Sequence, residues 1–165
     1  MEEVRLKAES VKIYTRRITS ANKSEIIVIM YDIIEENLTL AEEAINKGDR
    51  VTFKNELKQA VSFVKELLVS LDMSYEVSKN LASLYIYVSR CLNFALVSGK
   101  KEEIEAARKV LRKLGESFRE VAKTDKSEPV MGKTQQVYAG ITYGKGLSLD
   151  ETLINPDSEN RGFRA

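Results

Sequence analysis

Few residues in this chain are equipped for chemistry, and their types exclude more than they allow. There is no histidine and a single cysteine, Cys91, which removes histidine-based nucleophilic triads, His/Cys zinc sites and an intrachain disulfide. Carboxylates are plentiful, but Glu35, Glu36, Glu42, Glu43, Glu66, Glu102, Glu103 and Glu105 mostly alternate with lysines at positions a helix turns to solvent. A di-iron carboxylate centre of the bundle type requires Glu-x-x-His pairs, so these side chains read as a solvated surface. The string Gly140-Ile141-Thr142-Tyr143-Gly144-Lys145-Gly146 has the glycines and lysine of a phosphate-binding loop. It fails that pattern because three residues instead of four separate the glycines, glycine follows Lys145 where Ser or Thr is needed, and no strand precedes it. Cys91 falls near a core-facing helical position, where a small buried apolar residue is expected rather than a reactive thiol. Acid-base work would have to come from Asp, Glu, Lys, Tyr and Cys91, and no constellation of them stands out. The expectation is a chain that is no enzyme, with no catalytic residues, no metal site and no cofactor.

The frame that carries these residues is 165 residues long with 26 basic and 25 acidic side chains, a net charge of +1. That length suits one domain, and the near-neutral balance argues against holding nucleic acid by its phosphates. The opening Met1-Glu2-Glu3-Val4-Arg5 is acidic where a signal peptide is basic. The longest apolar stretch, Ile26 to Ile34, is broken by Asp32 and is about half of what a spanning helix needs. No membrane insertion and a cytoplasmic location are therefore expected. Trp is absent, and only two prolines and eight glycines occur, which favours long helices over a turn-rich sheet protein. Both prolines, Pro129 and Pro156, and the glycines Gly132, Gly140, Gly144, Gly146 and Gly162 lie after Thr124. This division separates a helical body, residues 1–124, from a largely irregular C-terminal tail, residues 125–165.

Within the body, periodicity lapses at Asn46-Lys47-Gly48-Asp49 and at Ser98-Gly99-Lys100, which predicts turns. Asn22 with Glu25 forms a candidate capping box for a first helix, with apolar positions Ile27, Met30, Tyr31, Ile34, Leu38, Ala41 and Ile45. Asp49 caps a second, with the stripe Phe53, Leu57, Ala60, Val64, Leu67 and Leu71. After a break at Asp72-Met73-Ser74, which offers two caps, a third helix carries Val77, Leu81, Leu84, Val88, Leu92 and Ala95. A fourth carries Ile104, Ala107, Leu111, Leu114, Phe118 and Val121, with Glu102 and Glu103 near its positive end. Short connections between helices of similar length predict an all-α, antiparallel up-down-up-down four-helix bundle. A segment ahead of it, with Val11, Ile13, Tyr14 and Ile18, is apolar enough to dock and could be helical or extended.

Aromatic residues exceed what one inward stripe requires. The third helix carries Tyr75, Tyr85, Tyr87 and Phe94, and Phe63 lies beside the second stripe. Such a surplus fits either a broadly buried helix or a surface that receives another helix. Asp32, set among apolar residues, sits at a helix border where it could bond the amino-terminal segment or face solvent.

The run Ser20-Ala21-Asn22-Lys23-Ser24-Glu25-Ile26-Ile27-Val28-Ile29-Met30-Tyr31-Asp32 resembles the opening of the flagellin-specific export chaperones. Further matches follow in order: Ala44 to Asp49 resembles the family's first turn, Glu66 to Asp72 the end of its second helix, and Leu84-Tyr85-Ile86-Tyr87-Val88-Ser89-Arg90-Cys91-Leu92 its Leu-Tyr-x-Tyr signature. Together they cover about residues 14–122. Lys23 stands where the family has proline, Ile33 where it has glycine, and Cys91 where it has arginine. The resemblance implies a cytoplasmic chaperone that binds the C-terminal helical segment of flagellin, prevents premature polymerisation and delivers the subunit to flagellar export apparatus components. It also implies an N-terminal cover segment, to which Tyr14 and Ile18 would belong. Ile27, Met30, Tyr31, Leu81, Tyr85 and Val88 would then line or support the partner groove. A chaperone for another flagellar or secreted client, such as a hook-associated protein, is the alternative, and a purely structural oligomerisation bundle is a third. The tail, with Val137, Tyr138, Ile141, Tyr143, Leu147, Leu149, Leu153, Ile154 and Phe163, is too apolar for an inert spacer. It is expected either to dock over the client groove or to serve another export component.

Overall fold

The computed structural model describes residues 2–132, with side chains from residue 7 onward. Expectations for residues 133–165, including the 140–146 string and most of the irregular tail, lie outside the described residues. Five helices follow in order: α1 (Glu2–Thr19), α2 (Lys23–Asn46), α3 (Arg50–Val69), α4 (Glu76–Ser98) and α5 (Lys101–Thr124). The segment that could be helical or extended is therefore a helix, α1.

Local chemistry explains most of the boundaries. Asn22 Oδ1 accepts the Glu25 backbone N–H at 2.9 Å, and the Asn22 N–H donates to Glu25 Oε2 at 2.9 Å, which completes the capping box that starts α2. Asp49 Oδ1 accepts the N–H groups of Val51 and Thr52 at 3.1 and 3.0 Å, satisfying two orphan donors of α3. The α3–α4 break departs from expectation: neither Asp72 nor Ser74 caps α4, which begins after Tyr75 with no side-chain cap. Asp72 Oδ1 instead accepts the Ser74 N–H at 3.0 Å, closing a turn inside the loop. Gly99 ends α4 with φ +70°, a left-handed conformation that glycine adopts without a Cβ penalty.

Helix α2 packs against α3 and α5, and α4 packs against the same two. This is the up-down-up-down square, with α2 and α4 on one diagonal, and α1 lies outside it against α2. The centre is closed by Ile34, Leu38, Leu57, Val64, Leu67, Tyr85, Val88, Leu92 and Ile104, all buried, each contributing on the order of 2 kcal/mol of transfer free energy. On α4 the core register differs from the expected one. Val88, Leu92 and Ala95 are buried as expected, but in the first half of the helix Ser78, Ala82 and Tyr85 face inward while Val77 and Leu84 are exposed, because α4 is apolar on two sides.

Candidate functional site: an apolar face and a polar-held cover helix

Val77, Leu84, Tyr87, Cys91 and Phe94 are spaced by seven, three, four and three residues, which places them on one stripe of a helix with 3.6 residues per turn. Four of them reach solvent: Val77 is 63 % exposed, Leu84 38 %, Tyr87 47 % and Phe94 51 %. The Tyr87 hydroxyl is held above its ordinary pKa, first by its hydrogen bond with the Cys91 thiol, and α4 packs along α5. The positions of α5 in line with Glu103 are Val110, Leu114 and Val121. Val110 and Leu114 pack half-buried against the core, and Val121 is exposed. Among the described residues, α4 is the one helix long and apolar enough to cross a bilayer by length and composition, yet 33 % of its most apolar stretch is buried. Part of the remaining apolar character is this outward face, and Ile86 and Val97 expose more on another side of the helix.

The sequence-expected site residues fall into three groups. Tyr31, Tyr85 and Val88, expected to line or support a groove, are core residues with exposures of 3, 1 and 0 %. Their side chains point along the α2–α4 diagonal, so they can back a partner surface but not line one. The Tyr31 and Tyr85 hydroxyls bond each other at 2.6 Å, and burial, its first cause, raises both pKa values above the ordinary range. The Tyr31 ring also stacks on Phe118, with centroids 5.6 Å apart. Ile27, Met30 and Leu81 form the second group, half-buried against the core. Tyr14 and Ile18 form the third, half-buried on α1. Cys91 is buried, as its position suggested. The aromatic surplus of α4 left a broadly buried helix and a receiving surface equally open in the sequence, and Tyr87 and Phe94 are the members of it that lie on this exposed stripe.

Polar contacts hold α1 down. Ser10 Oγ donates to Glu36 at 2.5 Å, Lys7 Nζ meets the buried Glu56 Oε1 at 2.5 Å, and the Tyr14 hydroxyl bonds Glu36, its pKa raised first by burial. Asp32 does bond the amino-terminal segment: Oδ2 accepts from Arg17 of α1 and Oδ1 from Arg119 of α5, each at 2.7 Å. Helix α1 therefore lies over part of α2, and a further exposed apolar stripe lies on α4. A second charged cluster ties α5 to α2, where the nearly buried Arg108 faces Glu35 at 3.2 Å and Glu42 at 2.8 Å.

Beyond α5 the chain turns back as a strap. Asn22 Nδ2 donates to the Asp125 carbonyl at 3.1 Å, Ser24 Oγ to the Asp125 carboxylate at 2.5 Å, and the Val130 N–H to the Ala21 carbonyl at 3.0 Å. The Ser24 hydroxyl is the main reason that the Asp125 pKa falls to about 2. Residues 125–130, expected to be part of an irregular tail, are thus fastened to the elbow between α1 and α2. Beside the strap a cleft of about 440 Å³ opens between that elbow and α5. Ala21, Val28, Ile29 and Ala122 form its apolar part, and Arg17, Arg119 and Lys123 its cationic part. Among the described residues, no cluster of three or more His, Cys, Asp and Glu could hold a metal ion.

An outward apolar face on a closed bundle and a helix held over its flank by polar contacts suit the reception of another helix. No curated protein matches the chain. The flagellar protein FliS family matches residues 9–125, from the middle of α1 to the end of α5, and the chain belongs to that family of flagellar export chaperones.

Proposed function

We propose that this chain chaperones flagellin in the cytoplasm by taking the C-terminal helical segment of the subunit on the α4–α5 face. The observation that carries the reading is the exposed stripe Val77, Leu84, Tyr87 and Phe94 beside Val121. A flagellin terminus assembles through apolar helix faces, and shielding it calls for a complementary apolar surface and no catalysis. Helix α1, with Tyr14 and Ile18, acts as a displaceable cover that frees the Ile27 and Met30 side of α2 for a longer client segment. Titration with a peptide spanning the flagellin C-terminal helices tests this. A one-to-one complex with newly formed helix is expected, the mark of folding coupled to binding. The absence of a complex at micromolar concentration, together with binding of a hook-associated protein, would transfer the role to that client.

A further inference from the structure

We infer that the cleft between the α1–α2 elbow and α5 is a docking site for this chain's own C-terminal segment, residues 147–154. The strap brings the chain to the cleft: Ala21, whose carbonyl accepts the Val130 N–H at 3.0 Å, is also one of the residues lining the cavity. Beyond residue 132 the chain continues for 33 residues, and the 14 residues from Lys133 to Gly146 span up to about 46 Å when extended. Reach is therefore no obstacle. Tethering also sets an effective concentration on the order of millimolar, so a modest intrinsic affinity fills the site.

The chemistry of the two partners corresponds. The cleft offers an apolar floor at Ala21, Val28, Ile29 and Ala122, and a rim with Arg17, Arg119 and Lys123. Three carboxylates oppose those three cations, and Glu120 pairs with Lys123 at 2.7 Å. Glu25, on the lining, already accepts the Asn22 N–H, and Asp32 takes one Nη2 from each arginine. A guanidinium has five N–H donors, so both arginines retain donors beyond those two bonds that a further carboxylate can take. Within Leu147-Ser148-Leu149-Asp150-Glu151-Thr152-Leu153-Ile154, four apolar residues flank adjacent acids. Leucine or isoleucine side chains suit the floor, and Asp150 and Glu151 suit the rim. Docked there, the segment ties α1, α2 and α5 together at the hinge of the cover helix. The site is separate from the α4–α5 face, so the inference stands or falls independently of the flagellin reading.

The test uses the full-length chain with Cys91→Ser and a nitroxide label on Ser148→Cys, observed by amide NMR. Loss of the Val28, Ile29 and Ala122 signals is expected, with those of Leu84, Tyr87 and Phe94 retained. Arg119→Glu and, independently, Ala122→Trp should restore the cleft signals, and adding Asp150→Lys with Glu151→Lys to Arg119→Glu should remove them again. Broadening centred on Leu84, Tyr87 and Phe94 would place the segment on the client face and overturn the inference, as would broadening nowhere or evenly over the bundle.

Discussion

The Tyr31–Tyr85 pair allows a quantitative test of how the bundle is registered. These hydroxyls bond at 2.6 Å across the α2–α4 diagonal, between residues 3 and 1 % exposed. Replacing either tyrosine with phenylalanine removes the bond and leaves the other hydroxyl buried without a partner, which costs about 2 kcal/mol. Replacing both leaves no orphan and forfeits only the net worth of the bond, about 1 kcal/mol. The singles therefore sum to about 4 kcal/mol and exceed the double by about 3 kcal/mol, a coupling well above the error of a double-mutant cycle. Urea unfolding of Tyr31→Phe, Tyr85→Phe and the double variant, with unchanged m values, measures it. The pH dependence gives a second reading. Both folded pKa values lie above the ordinary 10.0, so the contribution of the pair is fully present below pH 10 and is lost as the pH rises further. The double variant should lose less stability above that point than the parent. Additive singles, or singles costing less than about 0.5 kcal/mol, would refute the claim that these hydroxyls satisfy each other.

Other outcomes follow from the same structure. A Cβ at Gly115 would meet Tyr31 carbons at 3.5 and 3.6 Å and Arg119 Nη1 at 3.4 Å. Gly115→Ala should therefore stabilise by about 0.5–1 kcal/mol through helix propensity, and a fall in the denaturation midpoint would show that the contact is tighter than this. Arg108→Ala should cost about 1 kcal/mol, because Glu42 is partly solvated and Glu35 keeps Arg112 at 2.7 Å; a loss above about 3 kcal/mol would mean that the carboxylates are stranded away from water. Leu84→Asp with Phe94→Asp should weaken the flagellin peptide about 30-fold, from roughly 1 kcal/mol for each half-exposed side chain that the client would bury, while the unfolding midpoint stays put. Equal weakening by Lys58→Asp on α3 would point to a charge effect instead. The folded pKa of Asp125 is depressed from 3.8 to about 2, so the strap gains from the carboxylate above 3.8 and loses that gain as the pH falls through about 2. Protection of the Val130 amide from exchange should decline across that window, and Asp125→Asn should lower it at neutral pH; constant protection would count against the Ser24 anchor.

The helices were legible because their signals are local: Asn22 with Glu25, Asp49, and glycines at 48 and 99 announce their positions within a few residues. Asp32 stood out too, since an acid inside an apolar run needs a partner. The register of α4 was not legible. Its apolar residues form two stripes, and periodicity alone cannot say which stripe faces the neighbours; Val77 and Leu84 fit an inward stripe as well as Ser78 and Ala82, and only the spacing to α3 and α5 decides. The same ambiguity left open whether Tyr85 and Val88 line a groove or support it from the core, and their burial leaves only the second. Arg108 resembled any other surface charge until tertiary packing placed Glu35 and Glu42 around it. The strap depends on bonds between residues about a hundred positions apart, such as Ser24 with Asp125, for which no local pattern exists.

The two ends of α1 differ in what its departure would leave behind. At the elbow, Asp32 keeps Arg119 when Arg17 leaves, so that end lets go without stranding a charge. At the far end, Glu56 is 4 % exposed, and its Oε2 has no hydrogen-bond partner among the described residues. Removing Lys7 there abandons a dehydrated carboxylate. In the opening of α1 proposed above, the catch would thus sit opposite the hinge, and release would require a substitute for the lysine at Glu56.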